Sequence, residues 1–137
     1  MYCSKKVKLS HIALIIKSLE DTENFYSNIL GFEKIYRPNF KSKGLWYRVG
    51  DFYLHLILSK TMTKPFIDPI NQTAQTHFAI ALTDIDYSKL LAKLKSLHIK
   101  IISEEFSKET ETRQAFFYDP SFNMIEINDE LKKNYNL

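Results

Sequence analysis

The amino-acid sequence predicts an α+β protein built from two copies of a βαβββ unit, because the chain resembles itself in two places. The segment LSHIALIIKSLED around His11 matches QTHFAIALTDIDY around His77: a histidine, an apolar residue, an alanine and further apolar residues. GDFYLHLIL around His55 likewise matches DPSFNMIEI around Glu126, each a turn signal followed by an alternating strand with one ionisable residue. Self-similarity at this spacing indicates a duplicated structural unit.

The first module is predicted to span about residues 8–58. Its opening run, HIALII, is short and rich in β-branched residues, which is typical of a strand. Ser18 and Asp21 resemble a helix-capping pair, and apolar residues at helical spacing follow as far as Gly31. GFEKIYRP, GLWYRVG and DFYLHLIL then predict three strands, the last two joined by a tight turn at Gly50.

The second module is predicted over about residues 76–129, after an irregular connector at 59–75 that contains Pro65 and Pro69. HFAIAL predicts its first strand, and a stripe of one tyrosine and four leucines predicts the helix. IKIIS, RQAFFY and NMIEIN predict the remaining strands, with SEEFSKETET as a polar loop. The polar tail at 130–137 is expected to fray or to add a short edge element.

Composition predicts a single cytoplasmic domain over residues 1–137. The chain is 45% hydrophobic, which is enough for one core. Nineteen basic and 16 acidic residues give a net charge of +3 without any long run of one sign, so no nucleic-acid partner is expected. No stretch approaches the roughly eighteen apolar residues of a spanning helix, so no membrane partner is expected. A single cysteine, Cys3, excludes an internal disulfide framework.

Four ionisable residues interrupt the apolar strands: His11, His55, His77 and Glu126. Burying an ionised carboxylate is unfavourable unless it is paired, hydrogen-bonded or bound to a cation. Three imidazoles and one carboxylate suit Zn, Ni, Fe, Co or Mn better than Ca or Mg, so one divalent transition metal is predicted. For each histidine alone, a hydrogen-bonded core position is the alternative interpretation. His98, which has no counterpart in the repeat, is expected at a surface or a helix end.

Two segments resemble a known family, the vicinal oxygen chelate superfamily of glyoxalase I, fosfomycin-resistance thiol transferases, extradiol dioxygenases and bleomycin-binding proteins. HIALIIKSLEDTENFYSNILGF is similar to its opening strand and helix, and FFYDPSFNMIEI to its closing turn and ligand strand. The resemblance covers Leu9 to Asp129 and implies an open, U-shaped mixed sheet around a metal, and a homodimer. It implies four ligands: His11, His55, His77 and Glu126.

The resemblance implies a lyase, isomerase or dioxygenase that acts on a small substrate chelated through paired oxygens. Glyoxalase I-like enzymes usually carry a glutamate where this chain has His55, so Glu126 is expected to act as both metal ligand and catalytic base. The closing turn has Phe122 where a glycine is common. The alternatives are a non-catalytic protein that binds a drug or metabolite, and a regulatory module that retains the site.

Candidate substrate-binding residues surround the proposed ligands. Arg48 and Arg113 lie on the strands that precede the two ligand strands, in similar places, and are predicted to meet an anionic group of the substrate. Solvated edge charges are the alternative for both arginines. Strand aromatic residues on the ligand-side face are expected to wall the pocket, drawn from Trp46, Tyr47, Tyr53, Phe116 and Tyr118.

Overall fold

Each half of the repeat forms one four-stranded mixed sheet with a helix after its first strand. The computed structural model describes residues 7–61 and 70–132, and the chain divides into two units, Met1–Met62 and Thr63–Leu137. The element order in both units is strand, helix and three strands, so the predicted α+β class with two βαβββ modules is confirmed. The single domain over 1–137 stays a prediction.

The first unit places its first and last strands side by side. It contains β1 (His11–Ile16), α1 (Leu19–Glu23), a π-helical segment (Asn24–Ile29), β2 (Glu33–Ile35), β3 (Gly44–Val49) and β4 (Phe52–Leu58). The strands lie in the order β1-β4-β3-β2. β1 runs parallel to β4, whereas β3 is antiparallel to both of its neighbours. Residues far apart in sequence are thereby brought together on β1 and β4.

The helical segment of the first unit begins and ends where the sequence predicts. The Ser18 hydroxyl accepts a hydrogen bond from the backbone N–H of Asp21 at 3.2 Å, which caps α1. After α1 the helix widens into the π-helical segment, which the sequence pattern does not reveal. Gly31 follows at a φ of +73°, a conformation that favours glycine, and the helix stops there.

The second unit repeats the same topology. It contains a 3₁₀ turn (Gln72–Ala74), β5 (His77–Ala81), α2 (Asp84–Ser96), β6 (Ile101–Ser107), β7 (Thr112–Tyr118) and β8 (Met124–Asn128). The strands lie in the order β5-β8-β7-β6, again with the first and last strands parallel. The duplication inferred from the sequence is therefore a duplication of strand order and pairing.

The polar loop predicted at SEEFSKETET is shorter than expected. β6 continues through Ser107, and the backbone of its residues Ser103–Ser107 pairs with β7. The strand lies at a sheet edge, where backbone pairing on one side is enough and charged side chains are common. Glu104 on β6 also bonds Lys95 of α2 at 2.9 Å. Polarity therefore marks an edge strand here and not a loop.

Parts of the predicted connector and tail lie outside the described residues. These are residues 62–69, which include Pro65 and Pro69, and residues 133–137; Cys3 lies outside as well. Within the part of the chain that the structure describes, no helix is both long and apolar enough to cross a membrane.

One face of each sheet carries the buried core, and the other carries the ionisable residues. Alternation along β4 and β8 directs successive side chains to opposite faces. Each fully buried aliphatic side chain contributes about 2 kcal/mol to folding. The residues buried on the core face and on the helices include Tyr26, Tyr47, Leu54 and Leu56 in the first unit, and Tyr87, Leu94, Phe117, Ile125 and Ile127 in the second.

An ion pair with a buried carboxylate joins the start of β7 to the segment after β8. The Asp129 carboxylate is fully buried and accepts hydrogen bonds from the backbone N–H of Arg113 at 2.9 Å and from its Nε at 2.8 Å. Lys132 donates to the same carboxylate at 3.0 Å. Burial raises the pKa of Asp129, but the hydrogen bonds from Arg113 and Lys132 outweigh that effect and hold the pKa below its usual value.

We predict that Asp129 links folding stability to acid pH. Because its pKa is depressed in the folded state, its contribution is present above the unfolded-state pKa of about 3.9 and is lost as the pH falls further. Asp129→Asn should lower the free energy of unfolding by about 2 kcal/mol at pH 7 and flatten its pH dependence below pH 5. Urea unfolding from pH 3 to pH 7 measures both effects, and an unchanged acid slope in the variant would contradict the assignment.

His98 ends helix α2 in a left-handed conformation. Its φ is +58°, its N–H bonds the carbonyl of Lys95, and the N–H of Ile99 bonds the carbonyl of Leu94. This pair of hydrogen bonds is the Schellman arrangement, in which the residue after the helix is usually glycine. The expectation of a helix-end histidine is confirmed.

We predict that His98→Gly stabilises the protein. A non-glycine residue in the left-handed region is disfavoured by roughly 1 kcal/mol, and the side chain of His98 is exposed. His98→Gly should raise the free energy of unfolding by about 1 kcal/mol, whereas His98→Ala should leave it near the parent value. Urea titrations at pH 7 compare the three proteins, and a destabilised glycine variant would show that the imidazole contributes more than the strain removes.

Candidate metal centre

The first unit pairs His11 with His55 on the face opposite its core. His11 is on β1 and His55 on β4, and the parallel register sets Ala13 beside His55. The two imidazoles stack with ring centroids 4.1 Å apart and planes 16° apart. The small side chain of Ala13 leaves room for this contact. Two histidines 44 positions apart in sequence thus lie face to face on one side of the sheet, with ring planes too nearly parallel for both in-plane lone pairs to point at one ion in this arrangement.

His55 lies between His11 and Trp46. The Trp46 ring stacks on the other face of His55 with centroids 3.9 Å apart and planes only 4° apart. Burial lowers the pKa of His55, and the nearby His11 and Arg37 lower it further. His55 is therefore held in the neutral form, which is the form that binds metals.

His11 has one ring nitrogen engaged. Its Nδ1 is hydrogen-bonded to the hydroxyl of Ser10 at 3.1 Å. A partner on one ring nitrogen fixes the ring orientation and the tautomer, and leaves the other nitrogen for a ligand. Nε2 is therefore the candidate metal-binding atom of His11.

The second unit pairs His77 with Glu126. The Nδ1 of His77 lies 2.7 Å from the carbonyl oxygen of Gln75. A carbonyl can only accept, so Nδ1 carries the proton and, in the neutral ring, Nε2 carries the lone pair. Nε2 lies 3.4 Å from Oε1 of Glu126, while Oε2 accepts a hydrogen bond from the side chain of Asn128 at 2.8 Å. Glu126 is only 7% exposed.

The spacing of His77 and Glu126 fits a divalent transition metal. At 3.4 Å, Nε2 and Oε1 are beyond the usual length of an N–H···O hydrogen bond. Two ligands that each lie about 2.1 Å from one ion are roughly 3 to 3.5 Å apart. With Nδ1 of His77 donating to Gln75, its Nε2 and Oε1 of Glu126 face the space between them. The two atoms therefore have the spacing that two ligands of one ion would have.

The two pairs occupy equivalent positions in the repeat. Ala79 is the partner of Glu126 across β5 and β8, as Ala13 is the partner of His55 across β1 and β4. An aromatic residue on the preceding strand faces the fourth-strand ligand in both units: Trp46 opposite His55, and Phe116 opposite Glu126. Among the described residues, neither unit by itself gathers three histidine, cysteine, aspartate or glutamate side chains. Each unit offers two candidate ligands.

Four of the predicted substrate-binding residues lie on the ligand-bearing faces. Tyr53 is the register partner of His11, and Arg48 is the partner of Tyr53, with its guanidinium 6.0 Å from the Tyr53 ring. In the second unit the Phe116 ring meets that of His77 edge to face at 5.4 Å. Tyr118 lies on the same face as Phe116, and its hydroxyl donates to the Gln75 side chain at 2.9 Å.

Arg113 does not lie with these residues, so its interpretation as a substrate-binding residue is corrected. Side-chain alternation along β7 places Gln114 on the face of the candidate ligands and Arg113 on the core face. There Arg113 bonds Asp129, the Ser88 hydroxyl at 3.1 Å and the Asp84 carbonyl at 3.2 Å. Its guanidinium also stacks 4.6 Å from the Tyr87 ring. Trp46 and Phe116 occupy equivalent positions in the two units. Arg48 lies two residues from Trp46, whereas Arg113 lies three residues from Phe116, so side-chain alternation directs the two arginines to opposite faces of their sheets.

Tyr47 also points away from the ligands, because alternation along β3 places it on the core face. It is fully buried, and its hydroxyl bonds Ser27 of the π-helical segment at 2.8 Å. Phe122 adopts a φ of +65°, as a residue at a position suited to glycine must. The Asp119 carboxylate supports that turn by accepting from the N–H groups of Ser121 and Asn123.

Sequence reasoning did not identify the residues that orient the candidate ligands. Ser10 precedes His11, while Gln75 and Asn128 each lie two positions from a ligand. Since side chains two apart share a strand face, Asn128 was detectable as a polar neighbour of Glu126. The stacking of Trp46 on His55 depends on strand register, which the sequence alone does not specify.

The chain is similar in sequence to known proteins. Fosfomycin resistance protein FosX of Listeria monocytogenes serovar 1/2a is 25% identical over 123 residues, which are 87% of this chain and 86% of that protein. Glyoxylase I 4 of Arabidopsis thaliana is 27% identical over 125 residues, 87% of this chain and 68% of that protein.

A solved structure shares the fold. It is a variant of Listeria monocytogenes FosX complexed with Mn(II) and 1S,2S-dihydroxypropylphosphonic acid, with a TM-score of 0.72 and 22% identity over 88% of this chain and 89% of that one. The family model of the Glyoxalase/Bleomycin resistance protein/Dioxygenase superfamily matches residues 8–127. The chain therefore belongs to the glyoxalase/bleomycin resistance protein/dioxygenase superfamily.

Proposed function

We propose that this protein is a metal-dependent enzyme, a lyase, isomerase or dioxygenase, which acts on a small substrate bound through paired oxygens. The observation that carries the proposal is the His77–Glu126 pair. Nε2 of His77 and Oε1 of the buried Glu126 face the same space 3.4 Å apart, and a metal ion bound between them would contact both atoms. The outer hydrogen bonds, from His77 to the Gln75 carbonyl and from Asn128 to Glu126, are those expected around metal ligands.

Four residues would hold one divalent transition metal, which is Zn, Ni, Fe, Co or Mn. Protein sites for these metals use three or more protein ligands, and the family resemblance implies these four for one ion, which requires the His11 and His55 rings to turn out of their stack. When bound, the metal would act as a Lewis acid that stabilises negative charge developing on a substrate oxygen. The proposed ligands are His11, His55, His77 and Glu126.

Glu126 is also the proposed catalytic base. Its Oε2 is held by Asn128 at 2.8 Å, which fixes the carboxylate plane while Oε1 stays directed at the ligand side. Near-complete burial removes the carboxylate from water, which strengthens its interaction with a substrate proton. Arg48 is the proposed partner for an anionic substrate group. Tyr53, Phe116 and Tyr118 are the proposed pocket walls.

The substrate is proposed to be a small, oxygen-rich molecule. The relatives named above include a fosfomycin resistance protein and a glyoxylase, and the similar FosX structure holds Mn(II) with a dihydroxypropylphosphonic acid. A first screen therefore uses fosfomycin with water or thiols, then thiol adducts of α-ketoaldehydes, and then catechols with oxygen consumption as the readout. We also propose a homodimer, which sedimentation equilibrium tests.

The first prediction of this proposal concerns metal content. Protein purified without a histidine tag should contain about one transition metal ion for each set of four proposed ligands, as measured by elemental analysis. His55→Ala and Glu126→Gln should each lose most of it, because each removes one ligand. His98→Ala is the matched control, since it removes a histidine at a helix end and should retain the metal.

The same measurement separates the enzyme from its alternatives. A metal-free wild-type protein that binds hydrophobic drugs would contradict the proposal and favour the non-catalytic binding protein. A protein that retains metal in both the His55→Ala and Glu126→Gln variants would contradict the ligand assignment.

The second prediction concerns Asn128. Asn128→Ala removes the hydrogen bond that orients Glu126, and loss of such an outer partner weakens metal affinity about 10-fold to 100-fold. Gln114→Ala is the control, because Gln114 is the register partner of Asn128 on the same face. Chelator competition gives the metal Kd of each variant, and equal values for the two would show that Asn128 does not orient the ligand.

A further inference from the structure

Gln75, which lies just before β5, carries the backbone carbonyl that orients His77. That carbonyl oxygen lies 2.7 Å from Nδ1 of His77. A neutral imidazole can hold its proton on either ring nitrogen, and the hydrogen bond made by one nitrogen decides which. The Gln75 carbonyl must therefore stay in place if Nε2 is to be the nitrogen that presents a lone pair toward Glu126.

The backbone before Gln75 holds this carbonyl only weakly. Gln75 follows a 3₁₀ turn of three residues, Gln72–Ala74, none of which is buried. Its own N–H reaches the carbonyl oxygen of Gln72 at 3.4 Å, which is longer than a usual N–H···O hydrogen bond. Short 3₁₀ turns have poor hydrogen-bond geometry in general. The position of the Gln75 carbonyl therefore depends on a further contact.

Tyr118 supplies that contact from another strand. Its hydroxyl donates a hydrogen bond to Oε1 of Gln75 at 2.9 Å. Met124 is the register partner of both His77 and Tyr118, so these three residues form one row across β5, β8 and β7. The Tyr118 side chain spans the width of β8 to reach Gln75. It thereby ties the segment before β5 to the far side of the sheet.

The surroundings of Tyr118 keep its phenol in place and protonated. Burial raises the pKa of Tyr118, so its hydroxyl remains a hydrogen-bond donor at neutral pH. The Phe122 ring meets the Tyr118 ring edge to face, with centroids 6.0 Å apart. The phenol is therefore held by the turn after β7 as well as by Gln75.

The first unit orients its first-strand histidine by a more local route. His11 bonds the hydroxyl of Ser10, the residue next to it, and the Ser10 carbonyl accepts a hydrogen bond from the N–H of Tyr53 at 3.0 Å. Arg48 occupies the position that corresponds to Tyr118, since it pairs with Tyr53, which pairs with His11. The second unit thus uses a side chain from another strand where the first unit uses a neighbour in sequence.

We propose that Tyr118 is a positioning residue, whose hydroxyl holds Gln75 so that the Gln75 carbonyl fixes the tautomer and the plane of the His77 imidazole. This inference rests on the proposed function in so far as His77 is a metal ligand. Tyr118 acts through Gln75 and not on the metal. The role adds to that of a pocket wall, which uses the aromatic ring and not the hydroxyl.

The first experiment reads the tautomer of His77 directly, in protein stripped of metal by a chelator. ¹⁵N NMR of the imidazole nitrogens is recorded at pH 8.5, well above the ordinary imidazole pKa of about 6.5, and His77→Gln assigns the signals among the four histidines. The wild-type protein should hold the proton on Nδ1. Tyr118→Phe should shift His77 toward a mixture of both tautomers, because the carbonyl acceptor is no longer held.

Tyr87→Phe is the matched control. It removes a hydroxyl from the same unit, but on helix α2, where the Tyr87 ring packs against Arg113 on the core face. This variant should leave the His77 signals unchanged. Urea midpoints check that all variants are folded. If Tyr118→Phe does not fold, Gln75→Ala replaces it and should give the same change of tautomer, because it removes the side chain that accepts from Tyr118.

The second experiment measures Zn²⁺ affinity by chelator competition. Tyr118→Phe should bind Zn²⁺ about 3-fold to 10-fold more weakly than wild type, the equivalent of one ordinary hydrogen bond. Gln75→Ala, which keeps the backbone carbonyl but removes the amide, should weaken binding by a similar factor. The double variant should bind no more weakly than Gln75→Ala, because the two side chains act through each other. Additive losses would overturn the proposal.

The outcomes separate this inference from the proposed function. Wild-type protein that binds Zn²⁺, with Tyr118→Phe equal to it in affinity and tautomer, overturns the role of Tyr118 and leaves the proposed function standing. A loss of affinity without a change of tautomer overturns that role as well, since Tyr118 would then act by a route other than His77. Wild-type protein that binds no Zn²⁺ and contains no other metal overturns the proposed function, whereas a tautomer shift in Tyr118→Phe would still support the hold of Tyr118 on His77.

Discussion

The parallel pairing between the first and last strands of each unit is the constraint on which the candidate site depends. Pairing of β1 with β4, and of β5 with β8, sets a histidine near the start of one strand beside a ligand in the middle of the other. Side-chain alternation then commits the two residues to one face and the apolar core to the opposite face. A slip of one residue in either register would exchange those faces and bury the ligands among core side chains.

Both units therefore present a pair of candidate ligands, but they orient it by different physical means. In the second unit, neutral hydrogen-bond partners fix His77, and Asn128 fixes the carboxylate of Glu126. In the first unit His55 is held by aromatic faces, which restrict the ring without engaging its nitrogens. The same burial and neighbouring charges that lower the pKa of His55 keep it neutral. Stacking thus sets the orientation of the His55 ring, and burial favours its neutral form.

The fold and the placement of the candidate ligands on one face of each sheet were predictable because both depend on short-range patterns. Hydrophobic alternation, the Ser18 cap and the Gly31 stop are local signals, and the structure confirms them. The length of β6 was misjudged because its polar side chains lie on an edge strand, where pairing does not require apolar residues. Arg113 was misplaced, and the stacking of Trp46 was not foreseen, because both depend on register between strands. Register depends on tertiary packing, and the sequence similarity between the two halves predicts it only roughly.

The histidine at the candidate ligand position of β4, His55, has consequences for the chemistry of the proposed site. Glyoxalase I-like enzymes, which the chain resembles, usually carry a glutamate where this chain has His55. With three neutral imidazoles and one carboxylate, the proposed donor set neutralises only half the charge of a divalent ion. The remaining positive charge favours anionic substrate oxygens and increases the electrophilic effect of the ion. It also leaves Glu126 as the one carboxylate of the set, so proton transfer and charge balance would both depend on a residue whose orientation is controlled by Asn128.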